Sequence, residues 1–400
     1  MNELIINKND LVHNINIIKN YEKEENYTIF AVVKGNAYGL GVNEFTKVLI
    51  DNGINNFAVA SSTEAINLRK NIKEKILLLT PYINEEILSN LIKNDITLTI
   101  DSVKGAGLVN EISKKLNKKV YAHIKIDTGL CRLGLYDKMQ IKEVVEGLRK
   151  KQNIEVEGIF THFATDGVYD VSWDNQYAKF QELTSEIDLM KIPIIHLGRS
   201  QTLLNHSKIP FANGIRLGII LYGYNTTPKP LPDDLINKLR KLKREWYKRK
   251  HHISKTITDV ELKLKPAFSL YSEVMQVKQI KKGSFVGYGR IYEAPEDMYV
   301  AIIPIGYADG FNTRNKGRQV VINNKRYSLV GVINMGMIIA KVDENVHAGD
   351  KVTLIGEELT MKEAASYMGT SVYEGSCMIN DWVPRVLVKD GEIIEIEERK

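Results

Sequence analysis

Short apolar runs alternate with amphipathic segments through the first half of the chain. Runs rich in Val, Ile and Leu predict buried strands, and apolar residues that recur every three or four positions predict helices. Strands are predicted at residues 27–33, 56–60, 75–80, 96–100, 120–126, 158–163, 194–197 and 214–217. Helices are predicted at residues 9–23, 42–52, 62–71, 84–94, 141–151 and 176–190.

Eight strands separated by helices favour an α/β fold built on a parallel (β/α)8 TIM barrel. A doubly wound dinucleotide-binding sheet is disfavoured, because no Gly-x-Gly-x-x-Gly pattern follows the first strand. In TIM barrels the chemistry lies at the carboxyl ends of the strands. The candidate residues at or just beyond those ends are Lys34, Arg132, His162, Ser200 and Arg216.

A basic helical segment follows the predicted barrel. Residues 226–230 predict a linker, and residues 238–250 hold eight Lys or Arg against one Glu, whereas the rest of the chain is close to neutral. The apolar face of the predicted helix consists of Leu235, Leu239, Leu242 and Trp246. We expect a solvated basic helix that packs through this stripe, with a module for nucleic acid or acidic lipid as the alternative.

The C-terminal part predicts a mostly β domain. Alternating or β-branched residues include a long run at 268–280, and a short helix is predicted at 360–368. Asp390-Gly391 is a strong hairpin signal and Asn323-Asn324 a weaker one. We therefore predict a barrel domain at 8–225, a basic insert at 226–263 and a β domain at 264–400, to which residues 1–7 add a strand.

The composition is typical of a folded globular protein, with 44% hydrophobic and 26% charged residues in a chain of 400. The first residues lack the pattern of a signal peptide, and no run reaches the roughly 20 apolar residues of a membrane helix. We expect a cytoplasmic protein that binds neither nucleic acid nor a membrane. Two cysteines, Cys131 and Cys377, and scattered histidines predict no metal site.

Lys34 stands where an apolar, β-branched run stops at a loop. A desolvated lysine amine at a barrel mouth can lose its proton near neutral pH and form a Schiff base with an aldehyde cofactor. Pyridoxal 5'-phosphate is the obvious candidate, and it also needs a phosphate site and a partner for its ring nitrogen. Ser200 and the backbone N–H groups of Gly218 and Ile219 can hold the phosphate. Arg216 can point its guanidinium at the ring.

Seven blocks along the chain resemble the alanine racemase family and follow the order of that family. They are Ala31-Val32-Val33-Lys34-Gly35-Asn36-Ala37-Tyr38-Gly39, Asp127-Thr128-Gly129-Leu130-Cys131-Arg132-Leu133-Gly134, Thr161-His162-Phe163-Ala164-Thr165, Arg216-Leu217-Gly218-Ile219, Gly287-Tyr288-Gly289, Gly306-Tyr307-Ala308-Asp309-Gly310 and Val383-Pro384-Arg385. The resemblance covers nearly the whole chain apart from about residues 226–263.

The resemblance implies a pyridoxal-phosphate-dependent amino acid racemase that interconverts L- and D-alanine. Lys34 would carry the cofactor and act as the base on one face of the α-carbon, and Tyr288 would act on the other face. His162 and Arg216 would help Tyr288 to lose its proton. Arg216 would also keep the pyridine nitrogen unprotonated.

The resemblance also implies binding roles and a homodimer. The residues around the cofactor would be Lys34, Tyr38, His162, Ser200, Arg216, Gly218, Ile219 and Tyr373. Arg132, Tyr307 and Met335 would contact the amino acid substrate. In this family the residues matching Tyr288, Tyr307 and Met335 come from the other subunit, so we expect a head-to-tail homodimer with shared active sites. Lys125 matches a family lysine that can be carbamylated.

Two positions depart from the usual family pattern. Gly336 follows Met335 where an aspartate is common, and Arg199 precedes Ser200 where a small polar residue is usual. A racemase of another amino acid, such as serine, lysine or arginine, is therefore the first alternative. A related pyridoxal-phosphate decarboxylase and a non-catalytic cofactor carrier are further alternatives. The decarboxylase would share the barrel and β-domain plan, but the Lys34 and Tyr288 blocks resemble the racemase versions. The β domain and Tyr288 count against the carrier.

Overall fold

The computed structural model describes residues 2–23, 27–168, 170–225, 234–250 and 260–397. The linker predicted at 226–230 lies outside these residues. The chain divides into two compact units. Asn14–Lys34 and Leu49–Leu264 form the barrel unit, and Met1–His13, Gly35–Val48 and Lys265–Lys400 form the β unit.

The strands and helices are as follows, with the strands numbered along the chain. The strands are β1 Glu3–Asn7, β2 Thr28–Val32, β3 Asn56–Val59, β4 Lys75–Leu78, β5 Leu98–Ile100, β6 Val120–Lys125, β7 Ile154–Phe160, β8 Ile194–His196, β9 Gly198–Arg199, β10 Gly214–Leu217, β11 Phe268–Glu273, β12 Gln276–Ile280, β13 Met298–Ile303, β14 Gln319–Ile322, β15 Lys325–Ser328, β16 Ile338–Val342, β17 Lys351–Ile355, β18 Arg385–Lys389 and β19 Glu392–Glu397. The helices are Lys8–Lys23, Val42–Asp51, Ser62–Arg69, Glu85–Lys93, Val103–Leu116, Lys138–Arg149, Ser172–Leu183, Ser200–Asn205, Leu235–Lys250, Met361–Tyr367 and Val372–Cys377.

Parallel strands form the wall of the barrel unit. One sheet has the order β4-β3-β2-β10-β9, and the other has the order β5-β6-β7-β8. A parallel bridge between Leu77 and Thr97 joins the two sheets beside β4, and Asn213 donates its backbone N–H to the carbonyl of Ile195 on the other side. The predicted TIM barrel is therefore confirmed, and its carboxyl ends hold the candidate residues.

Capping residues fix the points at which the chain turns from strand to helix. The Ser61 hydroxyl accepts the N–H of Glu64, and the Glu64 carboxylate accepts the N–H of Ser61, which is a complete capping box. Asn84, Ser102 and Asp137 cap later barrel helices in the simpler way. These caps satisfy the first amide groups of helices that pack outside the strands.

The β unit contains a seven-stranded sheet, β15-β14-β17-β11-β1-β18-β19, and a three-stranded sheet, β12-β13-β16. β1 lies between β11 and β18, with Leu4 and Ile6 buried. Asp390-Gly391 and Asn323-Asn324 both turn with positive φ between antiparallel strands. Both predicted hairpins are confirmed.

Two predicted elements differ clearly in extent from the structure, and a short C-terminal helix was not predicted. The run at 268–280 is two strands in different sheets, because the chain passes from β11 to β12 at residues 274–275 while the alternation continues. The helix predicted at 176–190 is Ser172–Leu183, since Asp188 starts a separate short turn. Val372–Cys377 was not predicted, because six residues are too few to show a helical period.

The basic helix Leu235–Lys250 is present, but its predicted packing is wrong. The apolar stripe is exposed, with 66% of the Leu242 surface and 60% of the Trp246 surface accessible. The Lys250 ammonium lies 5.0 Å from the centre of the Trp246 ring. Periodicity defines a face of a helix but not the surface that covers it. Among the described residues, no helix has both the length and the apolar character needed to cross a membrane.

Candidate active site

Lys34 lies just past the carboxyl end of β2, at the centre of its sheet. β2 pairs with β10 so that Phe30 lies opposite Arg216 and Ala31 opposite Leu217. Lys34 therefore leaves the barrel wall beside the loop that begins at Gly218. Adjacent parallel strands bring their carboxyl ends to one edge, so this pairing places the lysine next to the predicted phosphate loop.

The residues after Lys34 form a left-handed turn. Gly35, Asn36, Ala37 and Tyr38 all have positive φ, between 53° and 63°. Such a run costs conformational energy in every residue except glycine. The Asn36 side chain accepts the backbone N–H of Val42 at 2.9 Å, which closes the turn onto the next helix. A strained turn held by specific contacts is typical of a functional loop.

The predicted phosphate residues are brought together in the barrel unit. Arg199 in β9 pairs with Arg216 in β10, so Ser200 and Gly218 leave their strands side by side. The Gly218 N–H donates to the Ser200 hydroxyl at 3.2 Å. Ile219 follows directly, and all three residues are buried. A hydroxyl and consecutive amide groups at strand ends form a typical phosphate site of this fold.

Arg216 is buried and held by several acceptors. Its guanidinium donates to the carbonyl of Thr161 at 2.6 Å, the carbonyl of His196 at 2.5 Å and the ring Nδ1 of His196 at 2.8 Å. Burial, with smaller effects of Arg199 and Arg132, lowers its pKa to about 9. The group therefore stays charged at neutral pH and cannot rotate freely.

His162 accepts a weaker hydrogen bond from the same guanidinium. Arg216 Nη2 lies 3.4 Å from His162 Nδ1. Burial, followed by the charges of Arg216 and Arg199, holds the pKa of His162 well below its usual range. Because an arginine only donates, Nδ1 of the neutral ring is the acceptor and Nε2 carries the proton. That proton is available to an oxygen beyond the ring.

The mouth of the barrel is electropositive. Burial, followed by the charges of Arg216 and Arg132, lowers the pKa of Lys125 to about 8. Its ammonium lies 4.9 Å from the centre of the Phe160 ring. Mutually repelling cations that share a mouth fit anionic ligands, because each bound anion relieves the repulsion.

Two residues that organise this mouth were not predicted as such. The Asp127 carboxylate accepts the backbone N–H groups of Gly129, Cys131 and Arg132, which fixes the loop bearing Arg132. Gln176 donates to Thr128 and to the carbonyl of His162, both at 3.1 Å. A glutamine on an amphipathic helix carries no sequence signal for such a role.

The predicted residues of the β unit form two groups. Tyr288, Tyr307 and Met335 lie on neighbouring loops, since Ala308 donates its N–H to the carbonyl of Met335 at 2.9 Å and Gly287 lies against Val332. They are exposed, with 77% of the Tyr288 surface accessible. Separately, the rings of Tyr38 and Tyr373 lie 5.9 Å apart, and burial raises the pKa of Tyr38 above its usual value.

Comparisons with known proteins identify the family of the chain. The family model "Alanine racemase, N-terminal domain" matches residues 6–226, and "Alanine racemase, C-terminal domain" matches residues 267–387. An alanine racemase of Methanococcus maripaludis is 35% identical over 367 residues, which cover 90% of this chain and 91% of that protein.

Solved structures show the same similarity over the whole length. An alanine racemase of Clostridium difficile 630 has a TM-score of 0.85 and 34% identity, covering 99% of this chain and 98% of that chain. A histidine racemase of Leuconostoc mesenteroides has a TM-score of 0.81 and 24% identity over 97% of this chain and 98% of its own, a likeness of fold alone. The chain therefore belongs to the alanine racemase family and is an isomerase.

Proposed function

We propose that this protein interconverts L- and D-alanine with pyridoxal 5'-phosphate, using Lys34 and Tyr288 as the two bases. The observation that carries the proposal is the pairing of β2 with β10. It sets Lys34, the Ser200 and Gly218 pair and the buried Arg216 on adjacent strand ends.

The residues of the barrel mouth fit this cofactor. Ser200, Gly218 and Ile219 offer a hydroxyl and backbone amides for a phosphate, and Lys34 offers an amine for covalent attachment. Arg216 has donors only, so a ring nitrogen beside it accepts a hydrogen bond and stays unprotonated. When bound, pyridoxal phosphate withdraws electrons from the α-carbon and makes its proton acidic. Tyr38 and Tyr373 are proposed as further cofactor-binding residues on the basis of the family resemblance.

Racemisation needs a base on each face of the α-carbon. On one face, the Nζ of Lys34 takes or returns the proton. On the other, we assign the hydroxyl of Tyr288 of the partner subunit. His162 donates its Nε2 proton toward that oxygen while Arg216 holds Nδ1, which stabilises the phenolate.

A homodimer with shared sites supplies the second base. The large exposure of Tyr288, together with that of Met335 and Tyr307, supports their presentation to another copy of the chain. Arg132, fixed by Asp127, is proposed to bind the substrate carboxylate.

Lys125 is proposed to be carbamylated. Its neutral amine would attack carbon dioxide, forming an N–C bond and releasing one proton, and the product would carry a negative charge beside Arg132. Because burial lowers the pKa of Lys125 to about 8, the neutral amine dominates above that pH. With 13C-labelled carbon dioxide held at constant concentration, we expect a carbamate resonance in 13C NMR that is stronger at pH 9 than at pH 7. Absence of that resonance from wild type, or its persistence in Lys125→Ala, would contradict the assignment.

Gly336 supports a second candidate, a racemase of a larger or more polar amino acid. A Cβ at this position would have open space within 4 Å, so the loop beside Met335 is roomier than one that carries an aspartate. For this reason the substrate is tested directly.

A panel of L-amino acids with purified protein and added cofactor tests the substrate. We expect alanine to be racemised with a kcat/KM at least about tenfold above serine, lysine, arginine and histidine, a difference of about 1.4 kcal/mol in transition-state binding. Gly336→Asp should fold normally, because a Cβ there meets nothing within 4 Å. It should narrow the range of amino acids that are racemised, because the carboxylate occupies that open space. The control is Gly107→Asp, at another position where a Cβ meets nothing within 4 Å, and it should leave the relative kcat/KM values of the amino acids unchanged. A higher kcat/KM for serine or for a basic amino acid would show that alanine is not the preferred substrate.

A further inference from the structure

Four buried polar side chains, Arg216, His196, His123 and Glu157, form a hydrogen-bonded series across the interior of the barrel unit. We refer to this series as the relay. Arg216 Nη1 lies 2.8 Å from His196 Nδ1, and His196 Nε2 lies 2.7 Å from His123 Nδ1. His123 Nε2 then lies 3.1 Å from a carboxylate oxygen of Glu157. The other oxygen of Glu157 contacts the ammonium of Lys75, the first residue of β4. The four groups from Arg216 to Glu157 come from β10, β8, β6 and β7.

The groups at the two ends of the relay determine the donor and the acceptor in each of its hydrogen bonds. Arg216 can only donate, so Nδ1 of His196 accepts. The ionised Glu157 can only accept, so Nε2 of His123 donates to it. Each neutral ring then carries its proton on Nε2, and the remaining bond runs from His196 to His123. Every bond therefore points from the guanidinium toward the carboxylate.

The electrostatic environment keeps both histidines neutral and Glu157 ionised. Burial is the largest cause that lowers the pKa of His123 and of His196, and nearby cations add to it. At His123 the hydrogen bond and the charge of Glu157 oppose this lowering of the pKa without reversing it. The groups that face the two rings are Glu157, Lys75, Arg216 and Lys125. Hydrogen bonds from His123 and Lys75 lower the pKa of Glu157 despite its burial. The histidines stay neutral and the glutamate stays charged near neutral pH.

Aromatic packing encloses the relay. The ring of His196 is stacked between Phe30 and Phe160, with centroid distances of 5.1 Å and 4.6 Å. His123 and His196 have no accessible surface. In such a dry environment hydrogen bonds are electrostatically stronger than in water, and an unpaired group is costly.

Gly158 provides the space for the His123 ring. A Cβ at residue 158 would lie 2.4 Å from His123 Nδ1, closer than any real contact. The glycine therefore permits the geometry of the relay, and a methyl group there would displace the ring without altering any charge.

We propose that Glu157, His123 and His196 form a hydrogen-bonded relay that fixes the orientation and charge of Arg216. They are positioning residues, and Glu157 is the remote counter-ion of the guanidinium. The two imidazoles polarise in series, so the negative carboxylate stabilises the buried positive charge that it does not touch. The influence of the relay on the ring nitrogen of a bound cofactor, through Arg216, rests on the proposed function. The relay itself does not.

The tautomers of the two histidines provide the decisive test. The full chain is labelled with 15N-histidine and studied by NMR with and without pyridoxal phosphate. We expect His123 and His196, two of the eight histidines, to remain neutral Nε2–H tautomers between pH 6 and 8, with their resonances assigned from His123→Gln and His196→Gln. A protonated ring or an Nδ1–H tautomer at either position would overturn the relay. Because the measurement on the unloaded wild type needs no cofactor, it is independent of the racemase proposal.

Variants of Glu157 test the coupling to Arg216. Glu157→Gln keeps the shape of the side chain and removes its charge. The control is Glu155→Gln on the same strand, which removes an exposed ion pair between Glu155 and Lys119. In Glu157→Gln we expect the His196 ring resonances to shift and the kcat of racemisation to fall about tenfold, the scale of a charge-assisted hydrogen bond, with little change in KM.

Gly158→Ala should reproduce the loss of kcat with the carboxylate intact. Unchanged His196 resonances and an unchanged kcat in Glu157→Gln would refute the coupling. If the resonances shift but the wild type racemises no amino acid, the relay stands and the proposed function fails.

Discussion

Lys34→Ala is expected to lose the absorption band of bound pyridoxal phosphate and at least about a thousandfold of racemase activity, because this residue is both the point of attachment and one of the two bases. The purified variant is incubated with the cofactor, dialysed and examined by absorption spectroscopy, and its activity is measured at saturating alanine. Lys47→Ala, which removes an exposed lysine paired with Glu395, serves as the control and should behave as wild type.

The alternatives to this assignment give different results. A band that survives dialysis in Lys34→Ala would move the attachment to another lysine. Lys125 is the first to examine, because it lies at the barrel mouth and burial lowers its pKa to about 8. A normal band with lost activity would leave Lys34 as a base but not as the attachment point.

Tyr288→Phe is expected to act unequally on the two enantiomers. Removal of the hydroxyl deletes the base on one face only, so solvent deuterium should still enter one enantiomer while exchange into the other falls by about a hundredfold or more. Each enantiomer is incubated separately in deuterated water, and the α-deuterium is measured by mass spectrometry. Tyr136→Phe, at an exposed tyrosine of the barrel unit, is the control. Equal losses for both enantiomers would count against the two-base assignment.

Mixed dimers test whether Tyr288 comes from the partner subunit. A dimer of one Lys34→Ala chain and one Tyr288→Phe chain has one doubly defective site and one intact site if the sites are shared. Random co-assembly should therefore restore about a quarter of the wild-type activity from two inactive proteins. No restoration would place both bases in one chain.

The barrel was predictable because its signals are local. Most of the strands are short apolar runs followed by a helix, and four of these helices begin with a capping side chain. The box formed by Ser61 and Glu64 spans only four consecutive residues. Arg216 and Ser200 could be placed near Lys34 for the same reason, because the fold itself brings strand ends together.

What escaped prediction depends on contacts between distant residues. His123 and His196 are 73 positions apart and resemble core histidines on apolar strands, so nothing local reveals that they touch. Glu157 lies outside the strand predicted at 158–163, because the strand begins at Ile154 and its polar residues alternate as on a solvent-facing side. The break at residues 274–275 was hidden because alternation continues when a chain changes sheets. The basic helix shows that a local pattern can also mislead. Its apolar residues recur at helical spacing, yet they are exposed.

The most direct test of the central claim is to follow L-alanine in deuterated water with the wild-type protein and pyridoxal phosphate. Chiral chromatography with mass spectrometry measures both the enantiomers and their α-deuterium. We predict an approach to equal amounts of L- and D-alanine, with deuterium at the α-carbon of the D-alanine formed and no pyruvate beyond a trace. L-Alanine that stays optically pure, or pyruvate or carbon dioxide as the main product, would contradict the assignment of this chain as an alanine racemase.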